Sequence, residues 1–319
     1  MQNLWNEEQA QACADELDLR VYSSRLLGHD PSLVLHGGGN TSVKLTRTNR
    51  VGEDEELLLV KGSGWDLSSI ERAGFAPVRM GHLLKLARLE TLSDTDMVNE
   101  LRAQLTDASA PTPSVEAILH ALLPHRYVDH THADAIVTLT NTPDGGGIMR
   151  EIYGSDVVVI PYVMPGFDLA RMVAERYPGQ AHEGTQGMVL MNHGIFSFGE
   201  TARESYDRMI ELVSRAEDYL KAKGAWELSA PKTSSPPPAG TAMAELRRDI
   251  SHAAGCPMVL RADRSDRSLA FAQAPGVEEW SQRGPATPDH VIRTKRTPML
   301  GRDVDAYTSA YSQYFKANS

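Results

Sequence analysis

Tyr127-Val128-Asp129-His130-Thr131-His132-Ala133-Asp134-Ala135-Ile136-Val137 decides how this chain is read. Its apolar and β-branched residues suit a strand, expected over residues 128–139. Successive side chains of a strand point to opposite faces, so His130 and His132 share one face and can reach one ion. A stable site wants a third ligand. Leu190-Met-Asn-His193-Gly-Ile offers one at the end of another short strand, before a glycine that relaxes the backbone. Neutral imidazoles suit zinc and other late divalent metals. The same pair fits two histidines satisfied by hydrogen bonds, and its spacing alone does not choose.

Further apolar runs on either side suit strands at 32–35, 41–45, 56–61, 157–162 and 187–191. Helical spacing of apolar residues marks 7–27, 79–89, 114–123, 167–176 and 201–224, the last ended by a glycine. Such a mixture implies a layered α/β fold. The run Ala230-Pro-Lys-Thr-Ser-Ser-Pro-Pro-Pro-Ala-Gly240 reads as an extended, solvated connector. It divides a catalytic domain, 1–229, from a linker, 230–240, and a C-terminal appendage, 241–319. In the appendage a helix is expected over 243–254, followed by short strand-like pieces and the turn-rich 284–289. There is no internal repeat.

Composition limits the class of function. With 41% hydrophobic and 23% charged residues in 319, the chain reads as an ordinary globular protein. A formal net charge of −10 opposes a broad nucleic-acid footprint, though not a local pocket for one phosphate. The N-terminus has neither a basic start nor an apolar run, and no segment nears the roughly 20 apolar residues of a membrane span. The expected location is the cytoplasm, with no membrane partner. Cys13 and Cys256 are too few for a disulfide framework and read as structural thiols.

Three other stretches bear chemistry. Glu116 sits in Pro113-Ser-Val-Glu-Ala-Ile-Leu-His120, where Ser114 can cap a helix. Its carboxylate is either a helix-start acid favoured by the dipole or a base beside a metal. In the second role it takes a proton from a carbon next to a carbonyl while the metal stabilises the enediolate. His120, one turn on, reads as support for the packing rather than as a ligand. His36-Gly-Gly-Gly-Asn40-Thr-Ser42 and Lys61-Gly-Ser-Gly64-Trp-Asp-Leu are glycine-containing loops after strand-like pieces. Their backbone N–H groups can approach an anion, although most glycine runs mark only tight turns. Neither matches a dinucleotide or triphosphate loop, so no nucleotide cofactor is expected.

Taken in order, HGGGNTSVKL (36–45), VKGSGWDLSSIERAGFAPVR (60–79), DASAPTPSVEAILHALLP (107–124), YVDHTHADAIVTLTN (127–141), VIPYVMPGFDLA (159–170) and GMVLMNHGIFSFGETARESYDRMIELV (187–213) resemble the class II aldolase/adducin family. The likeness extends most closely to the aldolase half of bifunctional rhamnulose-1-phosphate aldolase/alcohol dehydrogenases. It implies a three-layer α/β/α fold with a mostly antiparallel central sheet and a small C-terminal appendage. It makes His130, His132 and His193 the metal ligands, with a divalent metal, Zn2+ foremost, as cofactor. Glu116 becomes the catalytic carboxylate. Phosphate-binding positions fall on Gly39, Asn40, Ser63, Gly64 and Ser114. Val115 stands where phosphate-binding members often have a second serine, which removes one hydroxyl donor. Tyr162 matches a tyrosine that such aldolases extend as a proton donor into a neighbouring subunit's site. A homo-oligomer, a tetramer by resemblance, is implied, with a small sugar phosphate as partner.

The resemblance further implies that close relatives continue into a dehydrogenase half beyond a region like 284–295, and that this chain carries no such half. The activity it implies is retro-aldol cleavage of a ketose 1-phosphate, such as rhamnulose 1-phosphate, to dihydroxyacetone phosphate and a hydroxyaldehyde. A sugar-phosphate 4-epimerase, a sugar-acid phosphate decarboxylase and a non-catalytic adducin-like binding module are the alternatives on the same fold. The role of 241–319 stays open, including completion of the pocket through Arg293 and Lys295.

Overall fold

The computed structural model describes residues 1–227 and 240–318. The connector expected at 230–240 lies, up to residue 239, outside the described residues. Two compact units form: residues 1–226 with 286–293, and residues 227–285 with 294–319.

Among the described residues, the first unit holds seven strands in one sheet: β1 (Asn40–Thr48), β2 (Asp54–Lys61), β3 (Phe75–Arg79), β4 (Tyr127–Thr131), β5 (Val157–Ile160), β6 (Gly187–Leu190) and β7 (Gly194–Gly199). They lie in the order β3-β2-β1-β4-β7-β6-β5. Every neighbouring pair is antiparallel except β5 and β6. The fold is therefore the mixed α/β architecture with a mostly antiparallel sheet that the family resemblance implies.

Alternation along the strands feeds two cores. Leu57, Leu59, Tyr127, Val189 and Ile195 face a layer built from helices Glu16–Gly28, Asp134–Thr140, Gly145–Tyr153 and Ala202–Ala222. Leu58, Val60, Val128, Met188, Phe196 and Phe198 face helices Met80–Leu86, Asp94–Ala103, Ala117–Leu122 and Phe167–Gln180 on the other side. A sheet covered on both faces gives apolar runs with no polar alternation. Each fully buried large side chain, such as Phe196 or Phe198, contributes about 1.5–3 kcal/mol.

Several expectations are corrected. Residues 32–35 form no strand: 32 and 33 lie in a turn, where the Asp30 carboxylate accepts both the backbone N–H and the hydroxyl of Ser32, and 34 and 35 are irregular. The strand expected at 128–139 ends at Thr131, and the chain turns into helix Asp134–Thr140. Its run Ala135-Ile136-Val137 is buried all round, a case where periodicity does not distinguish strand from helix. The helix expected at 7–27 is two, Glu7–Gln11 and Glu16–Gly28, the second started by Asp15, which caps Leu17 and Asp18. Strands β3 and β7 and helices Asp94–Ala103 and Gly145–Tyr153 were not foreseen.

The second unit contains helices Gly240–Ala254, Asp266–Ala272, Val277–Trp280 and Val304–Asn318. The strand-like pieces expected beyond 254 are absent from the described residues there. No helix among the described residues is long and apolar enough to cross a membrane.

Candidate metal centre

The sheet order sets β1, β4 and β7 side by side, and the centre stands where they meet. His130 is opposite Asn40 of β1 on one side and Phe196 of β7 on the other. Its ring stacks on Phe196 with centroids 4.2 Å apart, and its Nδ1 donates to the Ile195 carbonyl at 3.0 Å. That bond places the ring proton on Nδ1 and leaves the Nε2 lone pair facing Glu116 Oε2 at 3.4 Å. His132 follows directly after β4. His193 lies in the turn from β6 to β7, after Asn192 in a left-handed conformation (φ 59°) held by bonds to Thr140 O and Asn141 Oδ1.

The three histidines offer ligand atoms that all lie within 4.8 Å of one another, and all three are buried. The glycine after His193 is required for space rather than for backbone freedom. A Cβ at Gly194 would lie 2.3 Å from the Thr131 carbonyl and 3.0 Å from His130 Cε1. Gly39 meets both demands: its φ is +59°, and a Cβ there would sit 2.7 Å from the His130 carbonyl.

Glu116 precedes helix Ala117–Leu122 and does not cap it. Ser114 Oγ accepts the Glu116 N–H, which frees the carboxylate to turn inward. Oε1 stands 3.6 Å from His193 Nε2, and Oε2 accepts from Asn40 Nδ2 at 2.6 Å. Asn40 Nδ2 also reaches Ser114 Oγ at 3.1 Å. The orientation of that amide follows from a relay behind it. His120, fully buried, bonds Asn40 Oδ1 through Nε2 and Ser42 Oγ through Nδ1 at 2.7 Å. With Asn40 donating to Glu116, its oxygen must accept, so His120 carries its proton on Nε2. Burial pushes the His120 imidazole down to about 3, keeping it neutral. His120 thus supports the site from behind, as its helical position implied.

The donor set fits a cation. Glu116 Oε1 and His130 Nε2, both facing the cluster, are buried without a hydrogen-bond partner, a costly arrangement for polar atoms unless something positive meets them. Burial drives the His130 imidazole well below its ordinary value and His193 down to about 4. For Glu116, burial raises the carboxyl, but the facing His130 and His193, together with the Asn40 amide, reverse the sign and hold it below the usual carboxylate range.

The two glycine-containing loops meet beside this cluster through Lys61, which ends β2. Lys61 Nζ donates to Gly37 O at 2.8 Å, and Ser114 N donates to Lys61 O at 3.1 Å. Lys61 is 3% exposed, and burial pushes its ammonium down to about 8. Gly39, Asn40 and Ser114 stand beside Glu116 and His130, whereas Ser63 and Gly64 lie exposed on the turn after Lys61. Val115 is 40% exposed. Tyr162 is 53% exposed on the segment after β5; its hydroxyl touches Met164 Sδ, and among the described residues no hydrogen bond ties it to the imidazoles. One partner of the cluster was not foreseen: Asp289, 157 residues beyond His132, bonds His132 Nδ1 at 2.8 Å.

Comparisons with known proteins agree with this geometry. Residues 19–220 match the family described as Class II Aldolase and Adducin N-terminal domain, and residues 238–319 match Aldolase class II, second domain. The N-terminal class II aldolase domain of a conserved protein from Thermoplasma acidophilum is 44% identical, with a TM-score of 0.64 over 69% of this chain and 99% of that one. A Bacillus subtilis (strain 168) protein called Uncharacterized oxidoreductase YuxG is 33% identical over the whole of this chain. The chain spans 49% of that relative's length. On its sheet, its histidine cluster and these matches, the chain belongs to the class II aldolase and adducin family.

Proposed function

We propose that this chain is a metal-dependent lyase that cleaves a ketose 1-phosphate, rhamnulose 1-phosphate or a close analogue, to dihydroxyacetone phosphate and a hydroxyaldehyde. The observation that carries the reading is the buried trio His130, His132 and His193, whose ligand atoms lie within 4.8 Å of one another, with the Glu116 carboxylate 3.4 and 3.6 Å from His130 and His193. His130, His132 and His193 would hold a divalent ion, zinc by its preference for imidazole, which when bound polarises the ketose carbonyl and hydroxyl oxygens.

The chain's own residues do the rest. Cleavage removes a proton from the hydroxyl on the far side of the breaking carbon–carbon bond and returns one to the carbon next to the carbonyl. Glu116, inside the cluster and aimed by Asn40, handles the proton at that carbon. Tyr162, exposed on the surface, exchanges the proton at the aldehyde oxygen, reaching it in a neighbouring copy of a homo-oligomer. Gly39, Asn40, Ser63, Gly64 and Ser114 set the phosphate, with backbone N–H groups standing in where Val115 brings no hydroxyl.

The test is to quantify metal in the purified protein and to follow dihydroxyacetone phosphate released from rhamnulose 1-phosphate, with His132→Ala in parallel. Metal and product in the wild type, both lost in the variant, support the reading. Metal without product redirects the reading to another substrate or to epimerisation or decarboxylation. A protein that binds no metal overturns it in favour of a binding module.

A further inference from the structure

The segment 286–293 leaves the second stretch of sequence and packs into the first compact unit. It is tied down at both ends. Asn141 Nδ2 donates to Ala286 O at 3.1 Å, and Arg293 Nε donates to His36 O at 2.9 Å. Between these ties, helix Pro288–Arg293 turns one carboxylate inward: Asp289 is 4% exposed. Its Oδ2 accepts the Leu35 N–H at 3.1 Å, and its Oδ1 meets His132 Nδ1 at 2.8 Å. The carboxylate occupies the space that a side chain at residue 38 would need, since a Cβ on Gly38 would fall 1.4 Å from Oδ1. The middle glycine of the His36 loop is therefore shaped around Asp289.

We propose that Asp289 is a positioning residue for the metal, fixing His132 with its proton on Nδ1 so that Nε2 turns its lone pair to the ion. The proposal rests on the reading that the histidine cluster holds a metal. A carboxylate that accepts from one ring nitrogen settles both the tautomer and the ring angle, and it raises the basicity of the other nitrogen. His130 has its own fixing partner in the Ile195 carbonyl, so His130 on β4 and His132 just after it are each held through Nδ1. The consequence is that the metal centre is completed by the C-terminal stretch of the chain: 157 residues separate the ligand from the group that aims it.

The experiment compares the full-length wild type with Asp289→Ala and Asp289→Asn, measuring Zn2+ affinity by chelator competition and the visible absorption of the Co2+-substituted proteins. Wild type binding one ion per chain establishes the centre. Against that, Asp289→Ala is expected to weaken zinc binding about 10–100-fold and to alter the Co2+ spectrum. Asp289→Asn, which keeps an acceptor oxygen of the same shape, is expected to recover part of both and guards against a simple loss of folding. Wild-type affinity and an unchanged Co2+ spectrum in both variants would overturn the role of Asp289 while leaving the metal centre intact. A wild type that binds no metal would overturn both together.

Discussion

Replacing Asp129 with alanine should destabilise the chain more than almost any other single change near the centre. Asp129 lies on β4 beside His130 and points to the opposite face, where it is 0% exposed. Its Oδ1 is 2.6 Å from Arg20 Nη2, also 0% exposed, and its Oδ2 accepts from Ser205 Oγ at 2.6 Å. Arg20 in turn donates to Ser24 Oγ at 3.2 Å and to the Ser42 carbonyl of β1 at 3.4 Å. The pair therefore joins β1, β4 and two helices.

A guanidinium does not shed its proton, so the alanine variant leaves a buried charge without its counter-ion. That loss costs about 3–5 kcal/mol. For a domain of this size the melting temperature should fall by about 6–20 °C. The assay is thermal and denaturant unfolding of Asp129→Ala beside the double variant Arg20→Met with Asp129→Leu. With both charges gone, the double variant should recover much of the loss. An Asp129→Ala variant within about 1 kcal/mol of wild type, or a double variant no better than the single, would refute the reasoning.

Two further outcomes are expected. Burial holds the Lys61 ammonium down at about 8, while in the unfolded chain it stays at 10.5. Below about 8 the group is charged in both states and folding bears the cost of burying it; between there and 10.5 the folded chain has released a proton that the unfolded chain keeps, so stability rises with pH by up to about 3 kcal/mol. Lys61→Met should flatten that rise in pH-dependent denaturation curves, and parallel curves for the two proteins would count against it. At Gly194, alanine would press a methyl to 2.3 Å from Thr131 O and force β7 away from β4. Metal binding measured by equilibrium dialysis should weaken about tenfold or more, as it does when a ligand loses its support; unchanged binding would show that the sheet gives way without moving the histidines.

Legibility in the sequence followed range. The period-two spacing of His130 and His132 is a local property, and the structure does turn both toward one point. His193 announced itself by its place between a short apolar run and a glycine. The local pattern suggests backbone freedom for that glycine, whereas in the structure a side chain there would strike the Thr131 carbonyl. That contact is between strands and leaves no trace in the local pattern. Strand β7 escaped notice for a related reason: Ile195-Phe196-Ser197-Phe198 is buried throughout, so its two faces carry no contrast. Residues 135–139 misled in the same way, being apolar on every side and equally consistent with strand or helix.

The sequence by itself determined the layered α/β class, a strand that bears His130, the candidate carboxylate and the resemblance to a family. These depend on residue types within a few positions of each other and on their periodicity. Only the tertiary structure decided what aims those groups. The register of β1 against β4 brings Asn40 opposite His130, His120 then fixes which way the Asn40 amide faces, and the return of 286–293 sets Asp289 on His132. The last two are hydrogen bonds between buried polar atoms 80 and 157 residues apart in sequence, and such partners are chosen by where the backbone brings them, because a buried donor must find whatever acceptor lies within reach.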